Sequence, residues 1–291
     1  MFLASTKGRI IAGAIALAAL AAGVLLFFMT RPEAPVGKAP TVEQSAVERS
    51  IIGSSVEGRS IEAYAYGTGN TTLAFVGGIH GGYEWNSVLL AYELMDHLEE
   101  NPDLIPANLQ IVVIPSANPD GLYKIVKKEG RFTRSDVVSG DQSAGRFNAN
   151  GVDLNRNFAC KWQPQATWRG ETVSAGTAAF SEPEAKALRD FFEEVRPAAA
   201  VFFHSQANAV YASECEAGVL PETLVVMNTY ASAAGYPAVS TFDAYPVTGD
   251  IEGWLASIGI PAVTVELSSH EAVEWERNWR GVAALLERYG E

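Results

Sequence analysis

The sequence predicts an α/β domain with a mixed, largely parallel central sheet flanked by helices on both faces, preceded by an N-terminal transmembrane helix. Three observations predict it. Short apolar runs of strand length alternate with helical stretches of ten to fifteen residues, the order that builds a sheet covered on both sides. Those runs are near-continuous in their apolar character, as buried strands are. One further apolar segment, twenty residues from Ile10 to Met29 without a charge, stands apart from the rest.

That segment comes first. At 1.5 Å of rise per residue it reaches the roughly 30 Å of a bilayer's hydrocarbon. Lys7 and Arg9 precede it and Arg31-Pro32 ends it, a modest bias toward an inside amino end. The division is a short cytoplasmic N-terminus (1–9), a membrane helix (10–30), a proline-rich extended linker (31–47) and a domain (48–291) held outside the cytoplasmic membrane by a single pass. Secretion after signal cleavage is the competing reading, since Ala-x-Ala patterns occur within residues 15 to 22. The apolar run continues through Val24–Met29, however, where a cleavage region turns polar.

Within the domain, Ile51-Ile52-Gly53 and Ile61–Gly67 read as a hairpin turning near Glu57-Gly58. Leu73–Gly78 and Leu109–Pro115 read as buried strands, and between them Val88, Leu89, Tyr92, Met95 and Leu98 share one face of a helix over Glu84–Leu98. Residues 124 to 150, rich in Lys, Gly, Ser, Asp and Asn, form a long irregular insertion of the kind that walls active sites. A helix follows over Glu182–Glu194, capped by Ser181 and opened by an acidic first turn. Strand Ala198–Phe203, helices Pro221–Ala233 and Ile251–Ser257, strand Ala262–Leu267 and helix Ala272–Tyr289 complete the order.

Composition narrows the function. With 291 residues there is room for one membrane element and one domain with a real core. A formal charge of -13 argues against a nucleic-acid partner, which needs a concentrated basic face. Cys160 and Cys215 are the only cysteines, and in an outward-facing domain they can pair. Two separate buried thiols are the other reading. Oligomeric state leaves no signature.

The chemistry gathers at strand ends. His80 follows the strand that closes on Gly77-Gly78, Glu84 opens the next helix, His204 ends a second apolar strand and Glu266 a third. Ligands bind open α/β sheets in the crevice beyond the carboxyl ends of strands. A close His and Glu with a distant His are the donors of a catalytic zinc that keeps one position open. His97, at a helix end, reads as a solvated surface residue, and His270, four residues after Glu266, is in a position to touch the cleft but is given no catalytic part.

These pieces resemble the zinc carboxypeptidase family, whose best-known members are pancreatic carboxypeptidases A and B and whose bacterial members include cell-wall peptidases. The matching segments, in family order, are Gly78-Ile79-His80…Glu84, Asn118-Pro119-Asp120-Gly121, Gly151-Val152-Asp153-Leu154-Asn155-Arg156-Asn157-Phe158, Ser181-Glu182-Pro183-Glu184, His204-Ser205, Tyr245 and Glu266-Leu267. The resemblance implies the family's fold, one zinc ion on His80, Glu84 and His204, and Glu266 as general base. It implies Arg156 and Asn155 as the clamp on a substrate's terminal carboxylate, with Tyr245 closing over it and Ser205 beside the zinc histidine. Arg146 matches the arginine that steadies the oxyanion, with Arg131 and Arg134 as the other candidates. The chain departs from the family by placing three residues, Gly81-Gly82-Tyr83, between the first His and the Glu, where the usual number is two.

On this reading the protein is a zinc metallocarboxypeptidase acting on a peptide or muropeptide with a free C-terminal carboxylate. Asp250 and Glu252, in the segment that lines the family's pocket for the departing side chain, imply a preference for basic residues. The alternative within the superfamily is a zinc amidohydrolase or deacylase, or a cell-wall muropeptide amidase. A non-enzymatic binding domain is a third class; it is expected to lack a ligand or the base, and none is missing.

Overall fold

The computed structural model describes residues 47–243 and 245–291. The membrane helix expected over 10–30 and nearly all of the expected linker fall outside the described residues. Among those described, no helix is long and apolar enough to cross a membrane.

The strands are β1 (Glu48–Ser54), β2 (Ser60–Tyr66), β3 (Thr71–Val76), β4 (Leu109–Ile114), β5 (Gln165–Trp168), β6 (Glu171–Ser174), β7 (Ala199–Ser205), β8 (Ala209–Ala212), β9 (Glu214–Cys215), β10 (Gly218–Val219), β11 (Ala238–Val239) and β12 (Ala262–Leu267). The helices are α1 (Trp85–Glu100), α2 (Pro119–Val126), α3 (Pro183–Val195), α4 (Pro221–Ala234), α5 (Ile251–Ser257) and α6 (Trp275–Gly290). Eight strands make one sheet in the order β1-β2-β4-β3-β7-β12-β8-β11. Its centre, β4-β3-β7-β12, is parallel throughout, while β1, β2 and β8 add antiparallel pairings on either side.

Side-chain alternation along the strands assigns the two faces. Phe75, Val113, Val201 and Val265 point to the side covered by α1, α4 and α6, where they join Val88, Leu94, Val226, Tyr230 and Leu285. Ala74, Val112, Ala200 and Phe202 point the other way, against Leu188 and Phe192 of α3 and Trp254 and Leu255 of α5. The period carries through to the end of β7. There His204 faces the α5 side and Ser205 the α1 side, and this alternation places the site.

Several details differ from the sequence expectation, while the irregular insertion and the paired reading of the cysteines agree with it. Helix α2 was read only as a motif; the Asn118 side chain caps it by accepting from Gly121 N at 2.9 Å. Ser181 does not cap α3, because the helix starts at Pro183 and the Ser181 hydroxyl donates to Glu182 instead. His97 is not free in solvent: its ring packs on Trp279 and Trp275 with centroids 4.2 and 5.2 Å away. Residues 127–150 contain no strand or α-helix, only short 3-10 turns at Arg134–Asp136 and Ser143–Arg146. Cys160 and Cys215 are joined by a disulfide, Cα atoms 6.0 Å apart, which ties the segment after Asn157-Phe158 to β9.

Candidate active site

His80, Glu84 and His204 meet beyond the carboxyl ends of β3 and β7, and all three are buried. One donor atom from each lies within 4.8 Å of the others. The extra residue between His80 and Glu84 is absorbed by a 3-10 turn over Gly81–Glu84 with Gly81 in the left-handed region at φ 48°. A Cβ at Gly81 would stand 2.6 Å from the Gly145 carbonyl, so the path requires glycine there.

The donor set fits zinc. His80 Nδ1 and Glu84 Oε2 are buried with no hydrogen-bond partner, a costly arrangement unless something else satisfies them. His204 Nδ1 lies 3.1 Å from Glu84 Oε2. Burial, reinforced by the charge of Arg146, holds the His80 imidazole well below its usual range and therefore neutral, the form that binds metal. Burial opposes a charge on His204 too, but Glu84 and Glu252 outweigh it and raise its pKa well above the usual value. A cation at the centre would replace that proton.

The motif that follows β4 and the insertion braces this centre. Asn118 Nδ2 donates to the Arg146 carbonyl at 3.1 Å, fixing the loop that delivers Arg146. Arg146 Nε donates to Asp153 at 2.9 Å, and its Nη1 lies 3.8 Å from Glu84. Trp168, on the β5–β6 ribbon, covers the guanidinium at 4.7 Å and packs on Tyr83 and Phe147, forming a wall of the cleft. Asn157 and Glu182 secure Asn155-Arg156 from below: Asn157 Oδ1 accepts from Glu182 N, and Asn148 and Asn150 donate to Glu182.

Arg156 is 4% exposed, and its Nη1 donates to the Asn155 carbonyl at 2.5 Å. Among the described residues it forms no ion pair. Asn155 is occupied on both sides, its Oδ1 accepting from Ile251 N at 2.8 Å and its Nδ2 donating to Glu252 at 3.2 Å. Gly249 packs its backbone directly on Arg156; a Cβ there would fall 2.2 Å from the Arg156 carbonyl. This close approach brings the 245–250 segment against the arginine.

Glu266 pairs in register with His204 across β12 and β7. Its Oε2 accepts from Ala207 N at 3.1 Å. Burial, with the nearby charge of Glu84, pushes its carboxyl up to about 7. Asp250 caps α5 by accepting from Gly253 N at 2.7 Å; burial and the charge of Glu252 push it up to about 6. Glu252 turns to His204 Nε2, Thr264 and Asn155. Tyr245 stands on the rim, 45% exposed, its ring against Phe242.

His270, four residues after Glu266 and given no catalytic part by the sequence, does reach the cleft. Asn86 donates through Nδ2 to the carbonyls of Ser269 and Ala272, so its Oδ1 is an acceptor, and Ser205 Oγ donates to it at 3.1 Å. His270 Nδ1 then donates to Ser205 Oγ at 2.7 Å, which leaves Nε2 as the free acceptor of a neutral ring beside Tyr83. No periodicity signals this; only its place four residues after Glu266 could have.

A His-Glu-His centre at the switch-side ends of an open α/β sheet, with a carboxylate and two buried arginines around it, is the zinc site of a hydrolase. The chain belongs to the zinc carboxypeptidase family, peptidase M14, whose family model matches residues 40–275. It is 26% identical over 170 residues to gamma-D-glutamyl-L-diamino acid endopeptidase 1 of Lysinibacillus sphaericus, covering 54% of this chain and 42% of that protein. It is 32% identical over 148 residues to murein peptide amidase A of Escherichia coli K12, covering 46% and 57%. The chain thus spans about half the length of the curated relatives it matches. Carboxypeptidase A of Helicoverpa armigera shares the fold with a TM-score of 0.67 at 21% identity, over 84% of this chain and 68% of that one. The murein-tripeptide amidase of Escherichia coli O157 does so with a TM-score of 0.58 at 22% identity, over 85% and 96%.

Proposed function

We propose that this protein is a zinc-dependent muropeptide amidase, hydrolysing the amide bond in front of a diamino acid that bears a free carboxylate. The observation that carries it is the buried Arg156, without an ion pair among the described residues, with the acid Asp250 beside it. A buried guanidinium without an acid partner is a receptor for a carboxylate, which it grips bidentately. The Asp250 carboxylate favours a departing residue with a second amine and penalises an apolar one. A diamino acid offers both groups; one relative is named for a gamma-D-glutamyl-L-diamino acid bond and another for murein peptide. This shifts the weight from the general carboxypeptidase reading to the muropeptide alternative.

His80, Glu84 and His204 would hold the zinc ion, which would supply polarisation of a carbonyl and a water acidified toward neutral pH. The chain's own residues do the rest. Arg156 holds the terminal carboxylate, Asn155 positions the start of α5, and Tyr245 closes from the rim. Glu266 takes the proton of the attacking water and delivers it to the leaving amine, a transfer suited to a carboxyl poised near neutrality. Arg146 donates to the oxygen that gains charge, and Trp168 shields it from water. Ser205 holds His270 in place at the cleft.

The test is product analysis. The full chain with zinc is given a gamma-D-glutamyl-diamino acid muropeptide and a matched alpha-linked peptide ending in Lys, and products are weighed by mass spectrometry. Release of the diamino acid from the muropeptide at higher kcat/KM supports the proposal. Cleavage of the alpha-linked peptide alone supports the second reading, a carboxypeptidase with basic preference, which the complete Asn155, Arg156 and Tyr245 set favours.

Localisation belongs to the same proposal. Residues 10–30 anchor the chain in the cytoplasmic membrane and 31–47 tether the catalytic domain, 48–291, on its outer face, where peptidoglycan lies. Sedimentation of the full chain with membranes after an alkaline wash, and protection of the domain from protease until the outer face is exposed, are the expected results. Recovery in the soluble fraction, shortened at its N-terminus, would point to secretion.

A further inference from the structure

Glu252 sits in the first turn of α5, on the face of the sheet to which alternation along β7 sends His204. It is 3% exposed, yet three donors converge on it. Oε1 accepts from His204 Nε2 at 3.1 Å and from Thr264 Oγ1 at 3.0 Å, and Oε2 accepts from Asn155 Nδ2 at 3.2 Å. A carboxylate serving only to attract a substrate ammonium would present its oxygens to the pocket. Here they are turned to the protein.

An imidazole that donates Nε2–H offers its lone pair at Nδ1, and His204 Nδ1 is the atom that approaches Glu84. A carboxylate on the far nitrogen of a metal-binding histidine fixes the tautomer and ring orientation and strengthens the donor. At His80 the carboxylate contact is looser: its Nδ1 lies 3.5 Å from Asp153 and makes no hydrogen bond. We infer that Glu252 is a positioning residue of the metal centre, holding His204 with Nδ1 toward the ion and, through Asn155, linking that ligand to the arginine that receives the substrate carboxylate. The inference rests on the zinc site and is independent of which amide is cut.

The experiment titrates metal-stripped full chain with zinc alone, in competition with a chromophoric chelator, for the parent, Glu252→Gln and Thr264→Val. Glu252→Gln weakens zinc binding by about 10- to 100-fold. Thr264→Val, which removes one donor and leaves the carboxylate, weakens it by a few fold in the same direction. With cobalt(II) in place of zinc, the visible bands of Glu252→Gln shift as the His204 ring loses its tether. Circular dichroism of the metal-free proteins reports folding; should Glu252→Gln not fold, Thr264→Val decides alone. Zinc affinities within about twofold of the parent, with unchanged cobalt spectra, overturn the inference. A fall only in the ratio of amine-bearing to apolar substrates would then return Glu252 to the pocket. Failure of the parent itself to bind zinc is a different result, and it would remove the metal site.

Discussion

Replacing Arg156 with methionine keeps most of the side chain's volume and removes its charge. In the free protein that charge is buried, and among the described residues its one side-chain hydrogen bond is to the Asn155 carbonyl at 2.5 Å. Folding therefore loses little from the change, because an unpaired buried cation is itself unfavourable. The melting temperature stays level or rises. Binding behaves oppositely: truncating one partner of a buried, hydrogen-bonded charge pair costs about 2 to 5 kcal/mol. Taking about 3 kcal/mol gives a loss of roughly 150-fold in kcat/KM. The carboxylate is held in ground and transition states alike, so most of that loss lies in KM. The assay compares a substrate ending in a free carboxylate with its terminal amide. The parent prefers the carboxylate by about two orders of magnitude, and Arg156→Met shows almost no preference. An equal loss on both substrates, or a parent indifferent to the amide, would refute the role of Arg156.

Other predictions are shorter. Glu266→Gln keeps its zinc and its substrate KM but loses about a hundred- to ten-thousand-fold in kcat; near-parent turnover with zinc bound contradicts the base assignment. Asp250 is held up to about 6, so its neutral form gains as pH falls. The preference for an amine-bearing leaving residue therefore declines through pH 6, and Asp250→Asn shows a flat, weak preference; a parent ratio constant from pH 5 to 8 contradicts this. The Cys160–Cys215 bond spans 55 positions, for which loop entropy gives about 4 kcal/mol of stabilisation. Cys160→Ser lowers the urea midpoint accordingly, and equal midpoints with and without reductant contradict it.

Much of the architecture was written in local pattern. Helix Ile251–Ser257 and strand Ala262–Leu267 have the bounds read from the sequence. The metal ligands were legible because strand ends followed by His or Glu are hard to place in a core. What was missed depended on contacts between distant segments. The short strand β8 owes its place to β12, and β11 to β8, rather than to their own composition. His97 looked exposed because the tryptophans that cover it belong to α6, some 180 residues later. Glu252 could be assigned to the pocket by its spacing from Tyr245, but its contact with His204 depends on which face of β7 carries the histidine. His270 required the Asn86 amide orientation, set by two backbone carbonyls, before its free nitrogen could be identified.

Zinc stoichiometry tests the central claim most directly. The full chain, dialysed against metal-free buffer after zinc loading and assayed by plasma mass spectrometry, is predicted to hold one zinc per chain. His80→Ala and His204→Ala, folded by circular dichroism, are predicted to retain almost none. A full equivalent of zinc retained by both variants would place the metal elsewhere and contradict the account.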